Sequence, residues 1–286
     1  MYNILLEYIK SNGGIVNVLE LYKDSLSYPT KDIDKFLTLG VLFFLDGIVS
    51  LLPSIAIALN QNLATQILYF ISNIVGFIVI IIAIGYAFSI AKNTIFDSPM
   101  PSIEIIKNII DGIKVSIISI IYYTIPFSVT LIIAYFSGVL NGVIDLSLIY
   151  LNYGPEVMSH IDHLSPLDFN MDILISVVVI GFILFLLATL FLPVAIARFA
   201  ETNTVKSSLN FKGILEDISK ITWNKYLIRL IFFPIILMIV FIISLVVLII
   251  PFIGVILFFL TFSPFITIFS SRTLGLTYRE KENDSV

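Results

Sequence analysis

Long apolar runs alternate along the chain with short polar segments, and this pattern predicts a membrane protein. Each run has about 20 residues or more, the length that an α-helix needs to cross the hydrocarbon core of a bilayer. Residues 1–35 and 276–286 flank a predicted membrane domain of residues 36–275. The pattern therefore predicts an all-α, polytopic transmembrane helical bundle with six spans, at residues 36–59, 65–91, 114–138, 172–197, 226–250 and 251–271.

The division between the last two spans depends on a turn. The stretch IIPFIG, residues 249–254, contains a proline and a glycine, which together predict a tight reversal of the chain. The segment from Lys225 to Arg272 has room for two spans and a short turn. A single re-entrant pair of half-helices is the alternative interpretation.

Composition supports a lipid-facing surface. Hydrophobic residues make up 58% of the chain, charged residues make up 13%, and the mean hydropathy is +1.05. Because a soluble domain has about 25% charged residues, this chain has too few to cover a surface in water. The absence of cysteine excludes disulfides and cysteine nucleophiles. The N-terminal stretch MYNILLEYIKSNGG has neither a basic region nor a long apolar run, so we expect no cleaved signal peptide.

The basic residues predict the orientation. All 16 lysines and arginines lie in the N-terminal segment, in segments 92–114 and 198–229, and near the C-terminus. The segments after the first, third and fifth spans contain none, and loop 139–171 carries acidic residues instead. Because lysine and arginine are enriched in cytoplasmic loops, we expect a multi-pass protein of the cell membrane with both termini in the cytoplasm.

Three segments that precede the outward-going spans have apolar residues at helical spacing: 15–26, 102–114 and 205–221. Helices with one apolar and one charged face lie in the headgroup plane, so we expect three interfacial amphipathic helices on the cytoplasmic side. Ser102 is the predicted N-cap of the second. The predicted stripes are Ile15, Val18, Leu19, Tyr22 and Leu26; Ile105, Ile106, Ile109, Ile110 and Ile113; and Leu209, Phe211, Ile214, Leu215 and Ile218.

An Asp-x-x-Lys spacing recurs before the outward spans, and a basic residue recurs at the end of each returning span. We interpret these residues as interfacial anchors, in which aspartate and lysine form weak ion pairs of about 0.2–0.5 kcal/mol. The recurrence is consistent with three copies of one unit, although a positive-inside bias alone also explains it. The residues are Asp32 and Lys35, Asp111 and Lys114, Asp217 and Lys220, with Lys92, Arg198 and Arg272 at the span ends.

Five short motifs occur in this order along the chain: GYAFSIAK (85–92), DGIKV (111–115), PVAIARFA (193–200), WNKY (223–226) and FSSRTLGLTY (269–278). Together they resemble an uncharacterised family of multi-pass integral membrane proteins from methanogenic archaea, classed as a domain of unknown function. The resemblance extends from about Tyr22 to Tyr278, and position 89 is serine where the family usually has arginine. It implies an architecture and an archaeal plasma membrane, but no activity.

Catalytic motifs are scarce. His160 and His163 in the outward loop are spaced to share a helix face, and Asp162 with other nearby acids forms a weak candidate metal site with them. The chain has no HExxH, P-loop or GxSxG motif. We therefore expect no enzymatic activity, no cofactor and no nucleic-acid partner.

Two function classes remain. The first is a binding, assembly or lipid-organising protein, with membrane lipid, other membrane proteins or a second copy of the chain as partner. The second is a transporter or channel, because prolines break helices at transport sites. The third span adds a polar cluster of Tyr122, Tyr123, Thr124 and Ser128. The span prolines are Pro53, Pro126, Pro193, Pro234 and Pro264.

Asp46 is the only charge in the first span and lies about 16 Å along the helix from Lys35. No basic residue is predicted at that depth, since Arg229 is expected to reach the cytoplasmic surface. In one interpretation Asp46 is protonated, packs against neighbouring helices next to Gly47, and donates a hydrogen bond. In the other it faces a polar cavity and binds a proton or a cation.

Overall fold

The computed structural model describes residues 14–59, 62–154, 171–250 and 253–283, and within them the regular elements are all helical. Five of these helices, together with the continuous helical stretch Ile253–Lys281, are long and apolar enough to cross a membrane, which confirms the predicted all-α, multi-pass architecture. The helices are α1 (Gly14–Ser27), α2 (Ile33–Ala58), α3 (Asn62–Ile95), α4 (Ile105–Phe136), α5 (Val139–Tyr153), α6 (Met171–Thr202), α7 (Val205–Ser208), α8 (Phe211–Ile221), α9 (Trp223–Leu248), α10 (Ile253–Leu257) and α11 (Ser263–Asn283).

Two irregular turns connect some of these helices. A 3₁₀ turn, Tyr28–Lys31, links α1 to α2, and a π-helical turn, Phe258–Phe262, links α10 to α11. The chain divides into two compact units, one of residues Met1–Ile118 and Pro193–Val286 and one of residues Ser119–Leu192.

The first unit has two hydrophobic clusters. One contains Leu39, Tyr86 and Ile268, and the other packs Tyr22 against Phe269. The Phe269 ring stacks on Phe265 and Phe233. These clusters join α1, α2, α3, α9 and α11.

The second unit contains the later part of α4, the earlier part of α6, and α5. Within it, the Tyr123 and Phe185 rings stack with centroids 5.8 Å apart. A side chain at Gly181 would contact Thr130, so α4 and α6 approach closely at this point.

The predicted interfacial segments fold differently from one another. Segment 15–26 forms α1 as expected, but segment 102–114 is not a separate helix. It is the first part of α4, which begins at Ile105, so Ser102 does not cap it. Residues 105–125 contain no proline, and Gly112 lies against the backbone of α3, so nothing ends the helix there.

Other boundaries also differ from the predictions. Segment 205–221 is split at Leu209 and Asn210 into α7 and α8. Loop 139–171 contains helix α5, and the predicted tail is helical as far as Asn283. Four of the span prolines lie inside helices that continue past them: Pro53, Pro126, Pro193 and Pro234.

The predicted apolar stripes are only partly buried. In α8, Ile214 and Ile218 are fully buried, but Leu209 and Phe211 before them are exposed. In α4, four of the five predicted isoleucines are exposed: Ile105, Ile106, Ile110 and Ile113. Exposed isoleucine on a membrane helix is compatible with contact to lipid.

Candidate functional site

A buried ionic cluster forms around Asp217 on α8. Arg198 at the end of α6 donates to the Asp217 carboxylate over 2.6 Å and to the Gly213 carbonyl over 3.0 Å. The Tyr278 hydroxyl lies 2.8 Å from Asp217 Oδ2, and the Lys281 ammonium lies 3.9 Å from Oδ1. Asp217 is 3% exposed, so its charge is neutralised by these partners rather than by water.

This cluster corrects the predicted Asp217–Lys220 pair. Asp217 lies on the face of α8 that buries Ile214 and Ile218, whereas Lys220 is exposed. Asp217 therefore pairs with Arg198, 19 residues earlier in the chain. The other two predicted pairs do form, Asp32 with Lys35 at 2.7 Å and Asp111 with Lys114 at 3.3 Å.

Asp32 has a second structural role as the N-cap of α2. Its side chain accepts a hydrogen bond from the Lys35 backbone N–H, while the Lys35 ammonium donates to the Met100 carbonyl. The hydrogen bonds from Lys35 lower the pKa of Asp32 below its ordinary value. The Asp-x-x-Lys spacing thus stabilises a helix start here.

A second ionic cluster forms around Asp24 on α1. Arg272 on α11 donates to Asp24 over 2.8 Å, and Lys31 donates to it over 2.6 Å. The Arg272 guanidinium also lies 4.3 Å from the centre of the Tyr28 ring. Partial burial works to raise the pKa of Asp24, but the hydrogen bonds from Lys31 and Arg272 outweigh it and hold the pKa below its usual value.

Arg229 on α9 corrects another prediction. It is 2% exposed, and its guanidinium pairs with Glu280 over 2.5 Å instead of reaching a surface. The Tyr22 hydroxyl donates to the Arg229 carbonyl over 2.6 Å. The helical continuation of the predicted tail brings Glu280 to this position.

A surface cavity of about 810 Å³, open over most of its extent, lies beside the first part of α4. Its lining includes Lys92 at the end of α3 and Lys107 and Lys114 on α4, together with Glu104, Asp111, Asn203 and four isoleucines. We call it the lysine cavity. Because three cations lie beside two carboxylates, its lining carries net positive charge.

Each lysine of this cavity has one weak partner, and two of these partners, Asn203 and Glu104, are exposed. Lys92 donates to Asn203 over 3.3 Å, Lys107 pairs with Glu104 over 3.3 Å, and Lys114 pairs with Asp111. Pairs of this kind contribute little to stability. The lysines are therefore able to exchange these partners for a stronger anion.

Two glycines bring α3 and α4 together next to the cavity. A Cβ atom at Gly85 would overlap the Asn108 carbonyl, and one at Gly112 would overlap the Ile81 carbonyl. The Ser89 hydroxyl donates to the Gly85 carbonyl and lies 3.5 Å from the Asn108 side-chain oxygen. This close crossing sets the position of the cavity wall.

Asp46 lies half-buried where α2 meets α3. Its Oδ1 atom is buried, has no hydrogen-bond partner among the described residues, and points towards Gly76. The adjacent Gly47 packs against the Phe259 ring, as close helix packing requires. Among the described residues, Oδ1 of Asp46 therefore does not make the predicted hydrogen bond to a hydroxyl or carbonyl group.

Tyr123 and Thr124, two polar residues of the third span, have different hydrogen-bond partners. Tyr123 bonds with Thr189 over 3.2 Å, whereas Thr124 donates to the Ile120 carbonyl of its own helix. Consecutive helical residues point about 100° apart, so Tyr122, Tyr123 and Thr124 cannot share one face. Tyr122 and Ser128 are each half-buried.

The candidate metal ligands His160, Asp162 and His163 lie outside the described residues, and that site stays a prediction. The sequence patterns also missed several members of the ionic clusters. Tyr278 lies within one of the quoted motifs, but Asp24, Glu280 and Lys281 belong to no spacing pattern that could have identified them. The same holds for Glu201, whose carboxylate accepts hydrogen bonds from Tyr278 and Lys281 in the cluster around Asp217.

The comparisons with known proteins give a family and no activity. The family described as "Protein of unknown function (DUF4013)" matches residues 67–252, which is more than half of the chain. No curated protein matches the chain, and no solved structure does. The matched region includes Lys92, Asp111, Arg198 and Asp217. The chain therefore belongs to the DUF4013 family, whose function is unknown.

Proposed function

We propose that this protein is a non-catalytic lipid-binding protein of the cell membrane that holds anionic phospholipid at its basic, cytoplasmic face. The lysine cavity is the observation on which the proposal rests. Lys92, Lys107 and Lys114 surround it, and exposed isoleucines of α4 continue from it along the helix. A phospholipid presents a phosphate and an acyl chain in this same order.

Electrostatics supports an anionic ligand. Basic residues near an anionic leaflet each contribute about 1 kcal/mol to binding, and the long, 3.3 Å contacts of these lysines with their protein partners compete weakly. The distribution of lysine and arginine along the chain supports cytoplasmic termini. In this proposal the lipid is the partner, and no nucleic acid or cofactor is needed.

The test is a lipid titration of the delipidated protein in mild detergent, followed by native mass spectrometry. Phosphatidylglycerol should bind more tightly than phosphatidylcholine, and Lys107→Ala/Lys114→Ala should weaken phosphatidylglycerol binding about tenfold or more, since two cations are lost. The matched control is Lys206→Ala/Lys212→Ala, which removes the same charge from exposed sites outside the cavity.

Two results would contradict the proposal. One is equal binding of the two lipids by the unmodified protein. The other is an equal loss of binding in the cavity variant and the control variant, which would indicate attraction by net charge alone.

A second candidate function is the movement of a small solute or ion across the membrane. The observation that favours it is the buried Oδ1 atom of Asp46, which lacks a hydrogen-bond partner among the described residues. A carboxyl group without a partner within a membrane span is a functional candidate, because the membrane makes such a group costly.

A further inference from the structure

Two pairs of one cation and one acid have the same spacing in the chain: Arg198 and Asp217 are 19 residues apart, and so are Lys92 and Asp111. In each of them the cation lies near the end of a returning span and the acid lies on a later helix, Asp111 on α4 and Asp217 on α8. Arg272 on α11 and Asp24 on α1 form a third pair, which the fold brings together across 248 positions and which does not share this spacing.

In two of the three pairs the cation and the acid form an ion pair with each other, and we call these pairs closed. Arg198 contacts Asp217 at 2.6 Å, and Arg272 contacts Asp24 at 2.8 Å. The third is open, because Lys92 bonds to Asn203 and Asp111 bonds to Lys114. Instead of pairing with each other, Lys92 and Asp111 both line the lysine cavity.

The difference between arginine and lysine explains the open pair. A guanidinium is long, planar and carries several donors, so Arg198 reaches both the Gly213 carbonyl and the Asp217 carboxylate. An ammonium on a lysine stem is a compact point charge. Lysine at position 92 therefore leaves space where the equivalent arginine fills it.

We infer that the open Lys92–Asp111 pair is a headgroup site for an anionic phospholipid whose headgroup carries hydroxyl groups. This inference rests on the proposed function and names its ligand class. The lysines bind the phosphate, while the Asp111 carboxylate, which accepts hydrogen bonds only, binds a headgroup hydroxyl. Phosphatidylglycerol has both groups, whereas phosphatidic acid has only the phosphate.

The most direct test is Lys92→Arg. This substitution keeps the positive charge but supplies a guanidinium, the group with which Arg198 pairs with Asp217. We expect this variant to bind phosphatidylglycerol about tenfold more weakly or worse, since the headgroup loses its space and its charge-assisted bonds. Lys206→Arg, the same substitution outside the cavity, should bind as the unmodified protein does. Thermal unfolding of both variants checks that they fold.

Asp111→Asn tests the hydroxyl contact independently. It should reduce the preference for phosphatidylglycerol over phosphatidic acid about fivefold, and leave phosphatidic acid binding as tight or tighter. Soluble inorganic phosphate at equal concentration should displace neither lipid, because the isoleucines beside the cavity contact the acyl chains.

Unchanged binding in Lys92→Arg together with an unchanged lipid preference in Asp111→Asn would overturn the inference. If Lys107→Ala/Lys114→Ala still weakened binding in that case, the proposed lipid function would stand without this site. Displacement of the lipid by equal inorganic phosphate would also overturn it, since the cavity would then be a site for free anions.

Discussion

The buried charged residues of this protein differ in whether an oppositely charged side chain lies beside them. Asp217 and Arg229 are both nearly fully buried, and each has an oppositely charged partner within 2.6 Å. Asp46 is half-buried in a membrane span, and no ion pair forms at its carboxyl group in the described part of the chain. Hydrophobic spacing identified the depth of Asp46, but it gave no sign of the Arg229–Glu280 pair.

Asp46→Asn separates the structural and functional interpretations of this residue. Asparagine keeps the size of the side chain but cannot bind or release a proton, so a transporter that uses Asp46 should lose at least about nine-tenths of its flux. The measurement is ion or proton flux in proteoliposomes. Thermal stability should change little, by about 1 kcal/mol or less, because no ion pair is broken.

The interpretation of Asp46 depends on both readouts. Equal flux in the variant and the unmodified protein would remove the carboxyl group from any transport mechanism. A variant that fails to fold would contradict both interpretations, because it would give the carboxyl an essential structural contact that the structure does not show.

At the scale of helices, α3 and α4 approach closely at Gly85 and Gly112, and both helices contribute lysines to the lysine cavity. Local patterning predicted a break near residue 114, but the helix runs from Ile105 to Phe136. Charged residues at one end of a helix and apolar residues at the other do not interrupt its hydrogen bonds. The boundary between water and membrane therefore need not coincide with a helix end.

Gly85→Ala tests this crossing. Alanine normally stabilises a helix relative to glycine by about 0.5–1 kcal/mol, but here its Cβ would overlap the Asn108 carbonyl. We expect net destabilisation of about 1–3 kcal/mol from overpacking. The midpoint of thermal unfolding in mild detergent should fall.

Gly76→Ala on the same helix is the matched control. Its Cβ would lie 3.2 Å from the Asp46 carboxylate, a flexible group that can shift. The unfolding midpoint should stay the same or rise. A midpoint that rises equally in both variants would mean that α3 and α4 do not cross closely at Gly85.

At the scale of the whole molecule, the distribution of basic residues predicts which ends of the helices face the cytoplasm. The ionic clusters and the lysine cavity are built from residues at those basic ends. Arg198 and Arg272 thus follow the positive-inside bias and also stabilise tertiary contacts, with Asp217 and with Asp24. The basic residues that predict the orientation are thus also the ones that form these tertiary ion pairs.

Cysteine accessibility tests this orientation, and the chain contains no native cysteine to interfere. Leu59→Cys, at the end of α2, should react with a membrane-impermeant maleimide on intact cells. Lys206→Cys, on α7, should react only after permeabilisation. Both positions are exposed, so access depends on the side of the membrane. The reverse pattern of labelling would invert the proposed topology.

The sequence by itself determined the number of spans, the all-α class and the partition of basic residues, because these depend on the hydropathy of continuous stretches of about 20 residues. It also carried the motifs of an uncharacterised membrane protein family, which the match to DUF4013 supports. Only the tertiary structure decided which charges meet. Asp24 pairs with Arg272 across 248 positions of the chain, and Asp217 prefers Arg198 to its neighbour Lys220. Such pairings depend on which helix faces are buried together, and no local spacing encodes that choice.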